Sequence, residues 1–221
     1  MHLVLLAAGR GTRLPIKFRQ KPKCLAEIKG RPILDYNNNF YNKFSSKFIV
    51  TGFKKKKLHT FCLKNKFKKI ENTKFKNTNM VHSLFTVSKL IKKDIVICYG
   101  DIIFDENIYK ILSDKKNVNV MPVYKNWLNY WKMRMPMNKI KEDAENIEIK
   151  GNDLISIGEK IKKVFPKYQY MGIFKLKRKS FFKLQNFYKQ LNDKKIDMTS
   201  FLNLAIKKKI IKFKIKKYES F

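Results

Sequence analysis

The chain has 221 residues, of which 44 % are hydrophobic and 31 % charged, a composition that excludes an intrinsically disordered protein. No apolar run approaches the ~20 residues that a membrane-spanning helix needs, and the run at residues 3–8 is too short for a signal peptide. The three Cys residues are scattered, which indicates a reducing compartment rather than a disulfide framework. We therefore expect a cytoplasmic protein with one domain, residues 1–221, and no membrane insertion.

The net charge is +34, from 51 basic and 17 acidic residues. A polyanion-binding protein would show such an excess. However, six of the basic residues are Arg and the others are Lys, which A- and T-rich codons encode. Because Arg is the residue best suited to bidentate contacts with bases and phosphates, we interpret the charge mainly as compositional drift. We expect no specific nucleic-acid partner.

In chain order, short apolar runs alternate with segments of helical periodicity. A buried strand at residues 2–6 leads into a glycine-bearing loop, and Pro32 then opens a helix with apolar residues along one face. A strand at 48–51, a basic helix from Leu58 to about Phe67 and a helix capped within residues 77–79 follow. The next predicted elements are a strand at 94–99, a helix at 108–112 and a strand at 118–123.

The second half opens with a β-hairpin, in which strands at 146–150 and 154–157 flank a turn at 151–153. A strand at 169–176 interrupted by Gly172, helices at 180–191 and 198–207, and a last strand at 210–215 complete the pattern. The alternation predicts a Rossmann-like, three-layer α/β/α fold, with a mostly parallel sheet and a small insertion that contains the hairpin. Ligands bind such sheets outside the carboxyl ends of the strands, where the loop after Leu6 and Asp101 both fall.

The loop after the first strand carries the densest chemical signal. It reads Leu6, Ala7, Ala8, Gly9, Arg10, Gly11, Thr12, Arg13 and Leu14, and Lys21-Pro22-Lys23-Cys24-Leu25 follows shortly. Small residues let the backbone approach phosphate oxygens, and Arg13 and Lys23 can neutralise a triphosphate. The spacing is not that of a Walker loop, and Leu14 stands where the dinucleotide fingerprint has its third Gly. A glycine turn with nearby cations is, by itself, more often an ordinary turn than a phosphate site.

The whole string resembles the signature of the nucleotidyltransferases that activate sugars and small alcohols, L-A-A-G-x-G-x-R-L followed by P-K-x-L. Residues 77–84, 99–101, 170–173 and 197–202 also have this family's form. The segments 127–134 and 143–145 are similar to the cytidylyltransferase branch that acts on phosphocholine or 2-aminoethylphosphonate. The resemblance implies an Mg²⁺-dependent enzyme that transfers CMP from CTP to such a small phosphorylated or phosphonate substrate and releases pyrophosphate. The sequence leaves the oligomeric state open, and a homodimer is compatible with it.

The resemblance also implies roles for individual residues. The catalytic candidates are Arg13, Lys23 and Asp101, and the metal candidates are Asp101 and Glu219. The expected nucleotide-binding residues are Leu6, Ala7, Ala8, Gly9, Gly11, Thr12, Arg13, Lys23, Asn79, Ser83 and Gly100. Helix capping is the alternative for Asn79 and Ser83, and an ordinary turn is the alternative for Asp101. No nucleophilic side chain is expected, because positioning and charge neutralisation suffice for in-line transfer.

An aromatic segment is the candidate acceptor site. The expected substrate-binding residues are Trp127, Tyr130, Trp131, Arg134, Asp143 and Glu145. Under the resemblance, the rings would form a cage for an ammonium headgroup, and the two carboxylates would complete the cation site. The alternatives are a stripe of core residues along one helix face and a solvated acidic turn.

The chain departs from the family pattern at two places. The family usually has an acidic residue shortly before the first Trp, where this chain has Tyr124, Lys125 and Asn126. In the family, an Asp after the last strand provides a second metal ligand. When the last predicted strand is aligned with that of the family, this Asp falls at or just past Phe221. Glu219 is then the candidate substitute, and we expect an impaired metal site.

Two other functions stay open at this point. A sugar-1-phosphate nucleotidyltransferase would share the fold and the loop but not the Trp-rich segment. A non-catalytic, basic polyanion-binding protein would use the charge alone, and its binding to DNA would depend steeply on salt.

Overall fold

A computed structural model describes residues 1–11, 19–114, 118–161 and 164–219. The strands in these ranges are β1 (His2–Ala7), β2 (Glu27–Ile28), β3 (Arg31–Pro32), β4 (Ser46–Thr51), β5 (Lys68–Glu71), β6 (Ile95–Tyr99), β7 (Val120–Tyr124), β8 (Glu145–Lys150), β9 (Asp153–Lys160), β10 (Gln169–Tyr170), β11 (Ile173–Leu176) and β12 (Lys214–Tyr218). The α-helices are α1 (Asn38–Tyr41), α2 (His59–Lys64), α3 (Met80–Phe85), α4 (Ile108–Leu112), α5 (Trp127–Lys132), α6 (Met137–Asp143), α7 (Arg178–Gln190) and α8 (Met198–Lys207). Short 3₁₀ turns lie at Lys23–Leu25, Ile33–Asn37, Lys55–Leu58 and Ser88–Leu90.

Ten of the described strands form one sheet, in the order β5-β4-β1-β6-β11-β7-β12-β9-β8, and β10 pairs with β7. The strands β5, β4, β1 and β6 run parallel, as do β7 and β12. β11 lies antiparallel between β6 and β7, and the hairpin of β8 and β9 extends the sheet antiparallel to β12. The predicted α/β fold with a hairpin-containing insertion is confirmed.

Alternation along the strands produces the three layers. On β1, Leu3 and Leu5 join the core on one face of the sheet, together with residues of α1, α2 and α4. Val4 and Leu6 join the core on the other face, with residues of α3, α7 and α8. A strand buried on both faces lacks polar alternation, as the continuous apolar run of β1 shows. Among the described helices, none is long and apolar enough to cross a membrane.

The bounds predicted for the last strand were wrong, because the strand starts at Lys214 rather than at Ile210. The preceding residues complete the end of α8. Lys209 adopts a left-handed conformation (φ 56°), and the Ile210 N–H donates to the carbonyl of Ala205 at 2.9 Å. This is the usual way in which a helix satisfies its last carbonyls, and it removes residues 208–210 from the sheet.

The predicted helix from Leu58 to Phe67 was too long, and the strand β5 after it was missed. Lys66 is left-handed (φ 56°), and the Phe67 N–H donates to Cys62 O at 2.9 Å, which ends α2 early. β5 is an edge strand whose side chains are largely exposed. Its Lys-Lys-Ile-Glu sequence therefore has no apolar run by which to recognise it.

Candidate functional site

A cleft opens at the carboxyl ends of β1 and β6, which are adjacent parallel strands. It spans about 630 Å³ of space outside the protein atoms, part of which is open to solvent. The described residues that line it are Leu6, Ala7, Ala8, Gly9, Gly11, Lys23, Cys24, Phe75, Thr78, Asn79, Met80, Ser83, Gly100 and Asp101. The structure thus brings together the glycine loop, Lys23, Asp101 and the start of α3. We call this the nucleotide cleft. Thr12 and Arg13 lie outside the described residues.

Two glycines let the backbone segments of the cleft approach one another. The Gly100 N–H donates to Leu6 O at 2.9 Å, and a Cβ at Gly100 would lie 3.0 Å from the same oxygen. A Cβ at Gly52, directly after β4, would lie 2.8 Å from the Phe75 Cβ and 2.9 Å from Ala8 O. A side chain at Gly52 would displace Phe75 or the Ala8 carbonyl, and one at Gly100 would require the Leu6 carbonyl to shift slightly.

The two charged residues of the nucleotide cleft form an ion pair. Lys23 Nζ lies 2.6 Å from Asp101 Oδ2, and both side chains are partly exposed. Lys23 starts a 3₁₀ turn, and Cys24 in this turn is buried beside Gly100, which fixes the turn against the end of β6. A cation and a carboxylate are therefore held side by side at the edge of the sheet where a ligand is expected.

The start of α3 forms the opposite wall of the cleft. The Asn79 side chain accepts from the Met80 N–H at 2.8 Å, so Asn79 caps α3. Asn79 also lines the cleft, and its role in nucleotide binding stays a prediction. The buried Asn72 connects this wall: its amide donates to Thr78 Oγ1 at 3.1 Å and to Ser83 Oγ at 3.0 Å. Asn72 thus orients two hydroxyl groups of the cleft wall, those of Thr78 and Ser83.

Sequence reasoning missed several residues of this site. Gly52 had a readable signal, a glycine directly after a predicted strand. Thr78 lay in the family-like segment 77–84 but was given no role in the site. Asn72 and Phe75 had no readable signal, because Asn72 follows the unrecognised strand β5 and both lie in an irregular segment before a helix. Their role depends on the pairing of β5 with β4, which brings this segment to the cleft.

A second cavity adjoins the nucleotide cleft and spans about 1420 Å³ of space outside the protein atoms, part of which is open to solvent. Its described lining includes Tyr99, Asp101, Tyr124, Trp127, Tyr130, Trp131, Arg134, Gln169 and Tyr170. We call it the acceptor cavity. Asp101 lines both cavities, so its carboxylate marks the place where they meet.

The aromatic residues of the acceptor cavity differ in their surroundings. Trp127 is 1 % exposed, its indole N–H donates to Pro166 O at 3.0 Å, and its ring packs edge-to-face on Trp131 and on Phe165. The core interpretation is therefore confirmed for Trp127. Tyr130 is 37 % exposed and Trp131 is half-buried, so these two rings are accessible to a ligand.

Because Trp127 is buried and Trp131 is accessible, we expect the two Trp→Ala substitutions to affect different properties of the protein. Trp127→Ala is expected to lower the free energy of unfolding by about 3–5 kcal/mol, the usual cost of removing a buried aromatic side chain. Trp131→Ala is expected to cost less stability and to raise the acceptor KM, with the nucleotide KM unchanged. Urea denaturation and initial-rate kinetics measure both quantities. An unchanged acceptor KM in Trp131→Ala, with a loss of stability as large as that of Trp127→Ala, would place both rings in the core.

Three predicted carboxylates line neither cavity. Asp143 is exposed at the end of α6, and Glu145 accepts from Thr199 Oγ1 at 2.8 Å. Burial raises the pKa of the Glu145 carboxyl, which weakens it as a cation ligand. Glu219 is 62 % exposed and forms an ion pair with Lys125 at 3.0 Å.

The chemistry that the cleft offers is charge neutralisation rather than covalent catalysis. Burial raises the pKa of the Cys24 thiol to about 12, so it stays protonated and is a poor nucleophile. Among the described residues, no cluster of three or more His, Cys, Asp or Glu side chains could hold a metal ion. Mg²⁺ binds through one or two carboxylates together with substrate phosphates and water, so Asp101 fits a metal that a nucleotide brings with it.

The sequence itself decides the family. Residues 3–131, more than half of the chain, match the MobA-like NTP transferase domain. The chain belongs to this family. It is a nucleotidyltransferase, and the alternative of a non-catalytic polyanion-binding protein is not supported.

Two relatives and one solved structure illustrate the similarity. CTP:phosphoglutamine cytidylyltransferase of Campylobacter jejuni is 29 % identical over 228 residues, which cover 94 % of this chain and 89 % of that enzyme. The bifunctional protein GlmU of Methanococcus maripaludis is 30 % identical over 191 residues, 84 % of this chain but 42 % of GlmU. The structure of CTP:phosphocholine cytidylyltransferase from Streptococcus pneumoniae superimposes with a TM-score of 0.76 at 16 % identity, covering 99 % of this chain and 90 % of that one. At this identity, the last similarity shows the shared fold.

Proposed function

We propose that this nucleotidyltransferase transfers CMP from CTP to a small phosphorylated or phosphonate acceptor and releases pyrophosphate. The observation that carries the proposal is the junction of two cavities at Asp101. One cavity has the glycine loop and Lys23, as a triphosphate requires, and the other has room for a separate small molecule. A two-substrate transfer needs both reactants side by side, with the reacting groups at the junction.

In this reaction an oxygen of the acceptor phosphate or phosphonate attacks the α-phosphorus of the nucleotide. The new P–O bond forms as the bond to the β-phosphate oxygen breaks, and pyrophosphate leaves with that electron pair. Backbone N–H groups of the loop after β1 bind phosphate oxygens, since Gly9 and Gly11 line the cleft and leave them accessible. Lys23, and Arg13 by the resemblance, neutralise charge on the triphosphate.

Asp101 is the residue that would hold Mg²⁺, which neutralises charge on the phosphates when it is bound. Lys23 pairs with Asp101 across 2.6 Å and keeps the carboxylate at the edge of the nucleotide cleft. Glu219 stays a prediction as the second metal ligand, and its ion pair with Lys125 would have to break.

The preference for CTP rests on the relatives. The Campylobacter jejuni enzyme is named as a CTP-dependent cytidylyltransferase, and the similarity covers 94 % of this chain. A sugar-1-phosphate nucleotidyltransferase remains the alternative, since the similarity to GlmU covers 84 % of this chain. The aromatic acceptor cavity, which the Trp-rich segment forms, favours the first function.

A thermal-shift panel tests the nucleotide preference. CTP with Mg²⁺ is expected to raise the melting temperature more than UTP, GTP or ATP, because a ligand that binds only the folded state stabilises it according to its affinity. The same panel without Mg²⁺ is the control that shows whether the shift depends on the metal. A selective shift with UTP would favour the sugar-1-phosphate alternative, and the absence of a shift with any nucleotide would contradict the proposal.

A further inference from the structure

The acceptor cavity has an unusual distribution of charge. Among the described residues that line it, Asp101 and Arg134 are the charged ones, and they belong to different parts of the cavity wall. Asp101 pairs with Lys23 at 2.6 Å, at the junction with the nucleotide cleft. Away from that junction, Arg134 is the charged side chain of the described lining, and a cation there favours an anion.

Arg134 rests on the two accessible aromatic rings. Its guanidinium carbon lies 5.4 Å from the centre of the Tyr130 ring and 5.9 Å from that of Trp131. Arg134 follows Trp131 by three positions and Tyr130 by four, and residues at these separations share one face of a helical turn. The two ring contacts restrict the position of the planar guanidinium.

No Asp or Glu among the described residues forms an ion pair with Arg134. The two carboxylates that could have formed a cation site, Asp143 and Glu145, do not line the cavity. An ammonium headgroup would thus find Arg134 on the rings that should receive it and no free carboxylate beside it. The expected cage is occupied by a cation of the protein itself.

We propose that the acceptor carries a carboxylate in addition to its phosphate, and that Arg134 selects it by binding this carboxylate. The phosphate or phosphonate would lie at the Asp101 junction and the carboxylate at the Tyr130–Trp131 face. Guanidinium and carboxylate form parallel charge-assisted hydrogen bonds, and the rings hold the guanidinium ready for them. This inference rests on the proposed function, and it makes an anionic, amino-acid-like phosphate the substrate class.

Two acceptors that differ by one carboxylate test the proposal. Phosphoethanolamine and O-phosphoserine share the phosphate and the ammonium group, and phosphocholine represents a purely cationic headgroup. With CTP and Mg²⁺, kcat/KM for O-phosphoserine is expected to exceed that for phosphoethanolamine by about 10- to 100-fold, the range of a charged hydrogen-bonded contact. A preference for phosphocholine or phosphoethanolamine would overturn the proposal.

Substitution of Arg134 shows whether this residue is responsible. In Arg134→Met the ratio of the two kcat/KM values is expected to fall to near one, while the CTP KM is unchanged. Lys132→Met removes an exposed charge from the same helix and should keep the ratio. An equal loss for both acceptors in Arg134→Met would mean that Arg134 binds the phosphate, and the carboxylate assignment would be wrong.

Calorimetry separates failure of this proposal from failure of the proposed function. If CTP gives no pyrophosphate with any of the three acceptors, the proposed cytidylyl transfer fails in this panel. O-Phosphoserine is still expected to bind the wild-type protein at least about tenfold more tightly than phosphoethanolamine, and the difference should vanish in Arg134→Met. Equal binding of the two acceptors to the wild-type protein would overturn the carboxylate proposal by itself.

Discussion

Replacing Asp101 with Asn is expected to lower kcat at least about 1000-fold, equivalent to about 4 kcal/mol of transition-state stabilisation. The carboxylate lies where the two cavities meet and is the acidic group in the described lining of the nucleotide cleft. The amide keeps the shape of the side chain but removes the negative charge that attracts a divalent cation, and the triphosphate is then less neutralised. Initial rates of pyrophosphate release across a range of Mg²⁺ concentrations measure the effect.

Asp153→Asn is the matched control, since Asp153 also pairs with a lysine, Lys214, at 2.8 Å, but lies away from both cavities. Both variants should keep the melting temperature of the wild type within a few degrees, because partly exposed ion pairs contribute little stability. Activity of Asp101→Asn within tenfold of the wild type would contradict the assignment of Asp101 as the metal ligand.

Lys23→Met is expected to reduce kcat/KM for the nucleotide about 100-fold or more. Lys23 supplies a described positive charge at the nucleotide cleft, and removing it leaves the triphosphate and the leaving pyrophosphate less neutralised. The methionine keeps the length and apolar stem of the side chain, so the 3₁₀ turn that buries Cys24 should persist. Steady-state kinetics with CTP as the varied substrate test this expectation.

Lys55→Met provides the control for a lost lysine. Lys55 pairs with Glu71, and its side chain is 41 % exposed against 46 % for Lys23, so the two substitutions perturb the surface to a similar degree. Near-normal turnover of Lys23→Met at the wild-type melting temperature would contradict the loop assignment. A loss equal to that of Lys55→Met would point to a general effect of charge.

Local patterns sufficed for much of the fold and for the nucleotide cleft. The apolar run of β1, the helices α4 and α8, and the hairpin of β8 and β9 follow from periodicity and turn residues at short range. The glycine loop and Gly100-Asp101 could be placed at one edge of the sheet from sequence, because ligand sites of such sheets lie outside the carboxyl ends of the strands. The family resemblance assigned Lys23 to the same site. The small side chains at that edge are a local requirement for close backbone approach, so the sequence displays them directly.

Tertiary structure alone decided the features that depend on distant partners. The end of α8 takes residues 208–210 out of the last strand, and β5 exists as a strand because β4 offers it an edge. The sequence of the aromatic segment fitted a ligand cage and a stripe of core residues equally well, because the apolar face of a helix does not reveal what packs against it. Packing buried Trp127 on Pro166 and Phe165, left Tyr130 and Trp131 accessible, and placed Arg134 over them. Burial and the direction of a charged side chain are set by contacts across the fold, which no local pattern encodes.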